Sequence, residues 1–252
     1  FSAALELSGI PTIATIYSSF LQRSLDQIIH DVALQNIPLA MALDRAGIVG
    51  ADGPTHHGAF DLSYLRLVPG IVIAAPRDEE ELRHLLYTGV IQSDNPFAIR
   101  YPRGSGTGTD RREKLHKIDI GSWEDLREGD AAAILAVGSM VEPSLKAAKI
   151  LSERDIETRV VNARFVKPMD REMLSGIFRD FDLVVTVEEN VLDGGFGEGV
   201  CGAASDSISP PEILRLAIPN RFIEHGTRAE LLADIGLTPN GIATAIAGKL
   251  EA

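Results

Sequence analysis

A single cysteine, Cys201, stands in 252 residues. An internal disulfide is excluded, and a reducing compartment is expected. Basic residues are scarce: 24 Lys and Arg face 36 Asp and Glu, for a net charge of −12. Nucleic-acid binding needs a concentrated basic surface and is set aside. A small anionic ligand responds to local arginines and is not excluded. No apolar run reaches the ~20 residues of a membrane span, and no signal peptide opens the chain. Repeats and low-complexity tracts are also absent. So is an initiator methionine: "FSAALELSG" reads as the closing turns of a helix stopped by Gly9. A native terminus inside an apolar helix is not expected, so the chain is read as a fragment of a longer protein.

What is present alternates. "TIATIY" (12–17), "PLAMALD" (38–44), "GIVIAAP" (70–76) and "FAIRYP" (97–102) read as strands, separated by helical patterns at 20–35 and 78–92. Asp78 with Glu81 forms a capping box for the second helix, and Ser19 with Gln22 forms one for the first, starting it near Phe20. Residues 103–130 break the pattern with Gly, Thr and charge. A second series follows, with strands at 131–138, 157–163, 181–189 and 213–218 and a helix at 140–154 capped by Ser139 and Glu142. The fold class is α/β, in two domains, each a mostly parallel sheet flanked by helices. Their bounds are 1–110 and 131–252, joined by a linker at 111–130.

Three stretches carry chemistry. In "IYSSFLQR" (16–23), Tyr17, Phe20 and Arg23 step by three at the carboxyl end of a strand, offering aromatic surface and a cation. Core packing with a solvated arginine is the plain alternative. In "DRAGIVGADGPTHHGAFD" (44–61), Arg45, Asp52, His56 and His57 sit among four glycines that allow close backbone approach. A metal site competes there, although adjacent histidines point apart and seldom share an ion; so does a polar surface loop. "RYPRG" (100–104) adds Arg103, which with Arg45 suits a phosphate, or else lies in solvent. A literal G-x-G-x-x-G at 197–202 lacks the acid that a dinucleotide site wants after the next strand, so tight helix–strand packing is expected. His30, His84, His116 and His225 have no partner pattern and are read as structural.

The run from Ile16 to Arg66, with "DRAG" and "DGPTHHG" at its centre, resembles the 1-deoxy-D-xylulose-5-phosphate synthases of the transketolase superfamily. The resemblance continues through "YPRG", "RFVKPMD" and "VEENVLDGGFGEGV". Transketolases resemble the second motif with glutamine in place of His57, so the histidine pair favours the synthases. Three domains are implied, this sequence supplying a pyrimidine-binding domain and a transketolase C-terminal domain. The first domain, holding the diphosphate of thiamine diphosphate and its Mg2+, lies outside the sequence, as does an activating glutamate in an "E-Q-H" motif. The 252 residues alone are expected to be inactive, and no metal ligand is expected among them.

The resemblance implies that Phe20 stacks on the cofactor's aminopyrimidine with Arg23 beside it. It implies that Tyr17, Arg45 and Arg103 hold the phosphate of D-glyceraldehyde 3-phosphate, while Asp52 and His56 meet the reacting substrates and assist proton transfer. It also implies a cytoplasmic, homodimeric transferase that uses pyruvate as second substrate and serves isoprenoid, thiamine and pyridoxal synthesis, without nucleic acid or membrane. A β-type subunit of a 2-oxo acid dehydrogenase has the same two-domain layout and is the nearest rival. A non-catalytic remnant that only dimerises or binds a ligand is the other.

Overall fold

The computed structural model describes residues 1–91, 94–106, 108 and 114–251. A short helix, Ser2–Leu7, is closed by Gly9 at φ +76°. Ten strands follow: β1 (Ile13–Tyr17), β2 (Ala40–Asp44), β3 (Val72–Ala74), β4 (Phe97–Arg100), β5 (Glu124–Arg127), β6 (Ala132–Ala136), β7 (Thr158–Asn162), β8 (Phe165–Lys167), β9 (Leu183–Val191) and β10 (Glu212–Ile218). They form two five-stranded sheets, β1-β2-β4-β3-β8 and β10-β9-β6-β7-β5. Every pairing is parallel except β3 with β8 and β5 with β7, each at a sheet edge. Parallel neighbours need crossovers, which the helices between strands supply. The expected two-sheet α/β architecture, mostly parallel, is the one observed.

β6 explains how the sheets meet. All five residues of "AAILA" are fully buried. Side chains alternate along a strand, so Ala132 and Ile134 face the core shared with the helix Pro239–Leu250, while Ala133 and Leu135 face a second core. That second core also takes in Leu43, Ile73, Phe97, Ile99 and Phe196, so the first sheet and one side of the second share it. Aromatic pairs seal it: Phe97 meets Phe165 edge to face at 6.3 Å, and Trp123 meets Phe196 at 5.8 Å.

The structure departs from sequence expectations at several places. β8 was not foreseen; it leaves the C-terminal half to close the first sheet, with Ala75 N–H donating to Arg164 O at 2.8 Å. Lys167 Nζ then donates to the carbonyls of Arg66 and Val68, satisfying the end of the helix Asp61–Arg66. Within 111–130, residues 111–113 lie outside the described residues. Of the remainder, Trp123 is buried and Glu124–Arg127 pairs with β7, held by the Arg159–Asp125 and Arg127–Glu157 ion pairs.

Two caps also fail. The first crossover, 18–33, starts at Ser18 and passes through α, 3-10 and π turns; Ser19 makes no cap and its hydroxyl has no partner among the described residues. Ser139 does not cap the helix Val141–Ser152, because its hydroxyl donates to Glu189 instead. The Asp78 cap does form, accepting from Glu81 N–H at 2.8 Å, while the Glu81 carboxylate accepts from Arg77 N–H. This local bond survives although the other Glu81 oxygen is taken by Asn162 and Arg164, 81 and 83 positions away.

Truncating Phe165 to alanine should destabilise the protein by about 3–5 kcal/mol, through lost burial and an unfilled void where the sheets meet. Phe222→Ala, at a side chain 76% exposed, should stay within ~0.5 kcal/mol. Urea unfolding of both variants checks the contrast.

Candidate active site

β1, β2 and β4 end together, Tyr17 opposite Asp44 and Leu43 opposite Arg100. Their carboxyl ends therefore share one rim, where open parallel sheets bind ligands. On it, six of the seven side chains singled out from sequence form one contact chain. His56 meets the Phe20 ring edge to face at 5.6 Å, and Phe20 stacks on Tyr17 at 5.4 Å. The Arg45 guanidinium lies 4.2 Å from the centre of the Tyr17 ring, a cation–π contact. Arg45 Nη1 and Arg103 Nη1 both donate to Asp52 Oδ2 at 2.8 Å. Arg23 does not join; it is exposed, with no hydrogen bond or ion pair among the described residues.

Two guanidinium groups sharing one carboxylate leave one positive charge in surplus. Beside them a cavity of about 520 Å³ opens between the sheets, walled by Arg45, Tyr101 and Arg103 on one side and Ser139, Glu142 and Arg228 on the other. Among the described residues no three His, Cys, Asp or Glu side chains gather as metal ligands.

The loop 44–61 holds its shape through backbone pairing and strain. Arg45 has φ +58°, a conformation that costs a non-glycine residue of order 1 kcal/mol and persists only where neighbours impose it. They do: Arg45 N–H donates to Asp44 Oδ1, Ala46 N–H to Tyr101 O, and Gly47 and Gly58 exchange two bonds of 2.8 Å. His56 and His57 point apart. His56 Nδ1 meets Thr55 Oγ1 at 2.9 Å, and nothing among the described residues bonds its Nε2. His57 is buried; its Nδ1 accepts from Val49 N–H, so Nε2 carries the hydrogen and donates to Glu224 O at 3.2 Å. Its role is to pin the loop to the C-terminal half.

Sequence reading missed two acids, Glu188 and Glu189, both buried in β9. The only signal was the "EEN" inside an apolar strand, since an unpaired buried acid is costly. Alternation sends them opposite ways. Glu188 accepts from the N–H groups of Phe196 and Gly197 at 2.7 Å, at the start of the helix Phe196–Ser205. Glu189 accepts from Ile48 N–H at 2.6 Å, in the loop 44–61, and from Ser139 and Arg228. Behind Glu188, Gly197 lies so near β9 that a Cβ would fall 2.5 Å from Thr186 Oγ1. Close packing is thus the use of that glycine in the G-x-G-x-x-G stretch, as expected.

Two family descriptions match: "Transketolase, pyrimidine binding domain" over residues 1–108 and "Transketolase, C-terminal domain" over residues 121–242. Curated relatives include the 1-deoxy-D-xylulose-5-phosphate synthase 1 of Geobacter sulfurreducens, 50% identical over 253 residues. The 1-deoxy-D-xylulose-5-phosphate synthase of Aquifex aeolicus is 51% identical over 251 residues. Each match takes in 100% of this chain and 40% of the relative, so the chain spans about two fifths of their length. Neither is a dehydrogenase subunit. Among solved structures, a split-gene transketolase described as an inactive beta4 tetramer superposes with TM-score 0.86 at 25% identity, over 99% of this chain and 79% of that one. A transketolase mutant from Pichia stipitis superposes with TM-score 0.77 at 20% identity, over 99% of this chain and 36% of that one.

Burial pushes the Glu188 carboxyl up to about 7 from 4.5, against the pull of the Gly197 and Phe196 N–H donors and of Arg100 and Arg66. Between those values the folded protein keeps a proton that the unfolded chain has released. This group's contribution is therefore greatest below about pH 4.5 and is lost as pH rises to about 7, by at most ~3 kcal/mol. Urea unfolding at about pH 5 and about pH 8 should show that loss in the wild type and a flatter dependence in Glu188→Gln. An equal slope in both would reject the assignment.

Proposed function

The chain belongs to the transketolase superfamily, on the branch of the 1-deoxy-D-xylulose-5-phosphate synthases, and on that premise we propose its part in a reaction. It serves the condensation of pyruvate with D-glyceraldehyde 3-phosphate, which releases carbon dioxide and yields 1-deoxy-D-xylulose 5-phosphate. The observation that carries this reading is the continuous contact chain from His56 through Phe20, Tyr17 and Arg45 to Asp52 and Arg103. It joins an aromatic platform to a cationic pair at one strand rim.

Thiamine diphosphate supplies the electron-sink chemistry for decarboxylating pyruvate. The residues present fit its pyrimidine half: Phe20 is 39% exposed, and the hydroxyls of Ser18 and Ser19 beside it are buried without a partner among the described residues. Phe20 holds that ring by stacking, with Arg23 next to it. Arg45 and Arg103 bind the aldehyde's phosphate, each charge-assisted hydrogen bond contributing about 1.5–3 kcal/mol. Tyr17 holds the Arg45 guanidinium over its ring and completes the phosphate site. Asp52 sets the spacing of the two arginines and meets the acceptor with His56. His56, whose Nε2 has no partner among the described residues, delivers the proton to the aldehyde oxygen as the carbon–carbon bond forms.

A diphosphate-binding domain with Mg2+, a homodimeric assembly and a cytoplasmic setting complete the proposal. The product's use in isoprenoid, thiamine and pyridoxal synthesis belongs to it too. No helix among the described residues is long and apolar enough to cross a membrane.

The test uses a synthase polypeptide carrying this sequence with its diphosphate-binding domain. Wild-type protein should form 1-deoxy-D-xylulose 5-phosphate, read by mass spectrometry. Arg103→Ala should raise KM for D-glyceraldehyde 3-phosphate about 10- to 100-fold and leave KM for pyruvate within about 2-fold. Equal losses for both substrates would sink the phosphate assignment.

A further inference from the structure

Glu189 belongs to the C-terminal half yet reaches the loop that carries Arg45, Asp52 and His56. It sits at 1% exposure near the end of β9. Its carboxylate fills the space beside Gly47 so fully that a Cβ there would lie 2.5 Å from Glu189 Cδ. Oε1 accepts from Ile48 N–H at 2.6 Å, while Oε2 accepts from Ser139 Oγ at 2.8 Å and from Arg228 Nη2. The backbone around it is tied to the same loop. Arg100 Nη2 donates to both Glu189 O and Gly58 O, and Val191 N–H donates to Ala59 O.

We propose that Glu189 is a positioning residue for the acceptor-phosphate site, acting through Ile48 N–H and the turn at Gly47. The reason is the strained residue next door. Arg45 stays at φ +58° only while the backbone on both sides is held. Asp44 holds it on one side; on the other, Tyr101 O takes Ala46 N–H, and the Gly47–Gly58 bridge beyond it is backed by Glu189. Without the carboxylate, Ile48 N–H loses its buried acceptor, and the turn relaxes toward an ordinary conformation. Arg45 then swings away from the Tyr17 ring and from Asp52, and the phosphate site opens. The Ser139 and Arg228 side chains fix the rotamer of the carboxylate, and the Arg228 backbone packs against Gly50 of the loop. Reach matters more than charge here: an amide oxygen still accepts from Ile48 N–H, its NH2 donates to Ser139 Oγ, and Arg228, 34% exposed, turns from that NH2 to water.

This rests on the function proposed above, and the experiment separates the two. In the synthase polypeptide, Glu189→Ala should raise KM for D-glyceraldehyde 3-phosphate at least 10-fold and leave KM for pyruvate within 2-fold, as order-of-magnitude expectations. Glu189→Gln keeps the acceptor and should stay within about 3-fold. Glu189→Asp keeps the charge but withdraws it by one methylene, and should resemble the alanine variant. Arg228 is 34% exposed and can turn to water, so the one-methylene loss in Glu189→Asp leaves a foldable protein even if Glu189→Ala is poorly folded. In parallel, hydrogen–deuterium exchange of the peptide 44–61 in the 252-residue chain should speed up in Ala and Asp but not in Gln. A defective Gln with a healthy Asp would overturn the proposal in favour of charge; so would unchanged exchange in Ala and Asp. Absence of synthase activity in the wild type would reject the function while leaving the exchange pattern to decide the positioning.

Discussion

The site depends on an apolar contact that contains none of its residues. β6 turns Ala133 and Leu135 toward the first sheet and Ala132 and Ile134 toward the other side, with no solvent on either face. Burying a leucine-sized side chain contributes about 1.5–3 kcal/mol, but this attraction has no direction. It brings the halves together without fixing their register. Directional bonds do that: Arg164 O on Ala75 N–H, Lys167 on the carbonyls of Arg66 and Val68, and Glu189 on Ile48 N–H. Hydrophobic burial makes the encounter, and a few polar groups, costly to bury unless matched, set its geometry.

The rim pairs its charges closely, Asp44 and Asp52 lying beside Arg45 and Arg103. The chain carries −12 overall, yet two arginines converge on one aspartate oxygen. That oxygen holds two cations close enough to act together, which neither backbone alone achieves. The Tyr17 ring adds a cation–π contact, its centre 4.2 Å from the Arg45 guanidinium carbon. A flexible lysine in either position offers no such planar fork.

Much of this was readable in the sequence, for identifiable reasons. Alternating strand and helix patterns are local, and the strands at 13–17, 40–44 and 132–136 lie inside the segments expected. The crowded loop announced itself by composition, and the six side chains that touch one another there were all named in advance. What escaped notice depends on distance along the chain. β8 has three residues, too few for any period, and exists because β3 lies beside it. Ser139 has the residue type of a cap, but an acceptor 50 positions away takes its hydroxyl. Glu189 and Ile48 are 141 positions apart, and no spacing rule connects them. Arg23 stands apart from the contact chain for a local reason: its helical step from Phe20 is sound as a pattern, but the crossover switches from α to 3-10 turns at Gln22.

The orientation of His57 bears on how such motifs are compared. Its ring spends one nitrogen receiving Val49 N–H and the other donating to Glu224 O, so it works as a two-ended connector with fixed polarity. A glutamine side chain offers the same pair of ends, a carbonyl that accepts and an amide that donates. The imidazole that separates the "DGPTHHG" motif from its transketolase counterpart is thus interchangeable in kind with the amide that replaces it. Its presence marks lineage, and the acid–base role proposed above belongs to the neighbouring histidine, which both motifs share.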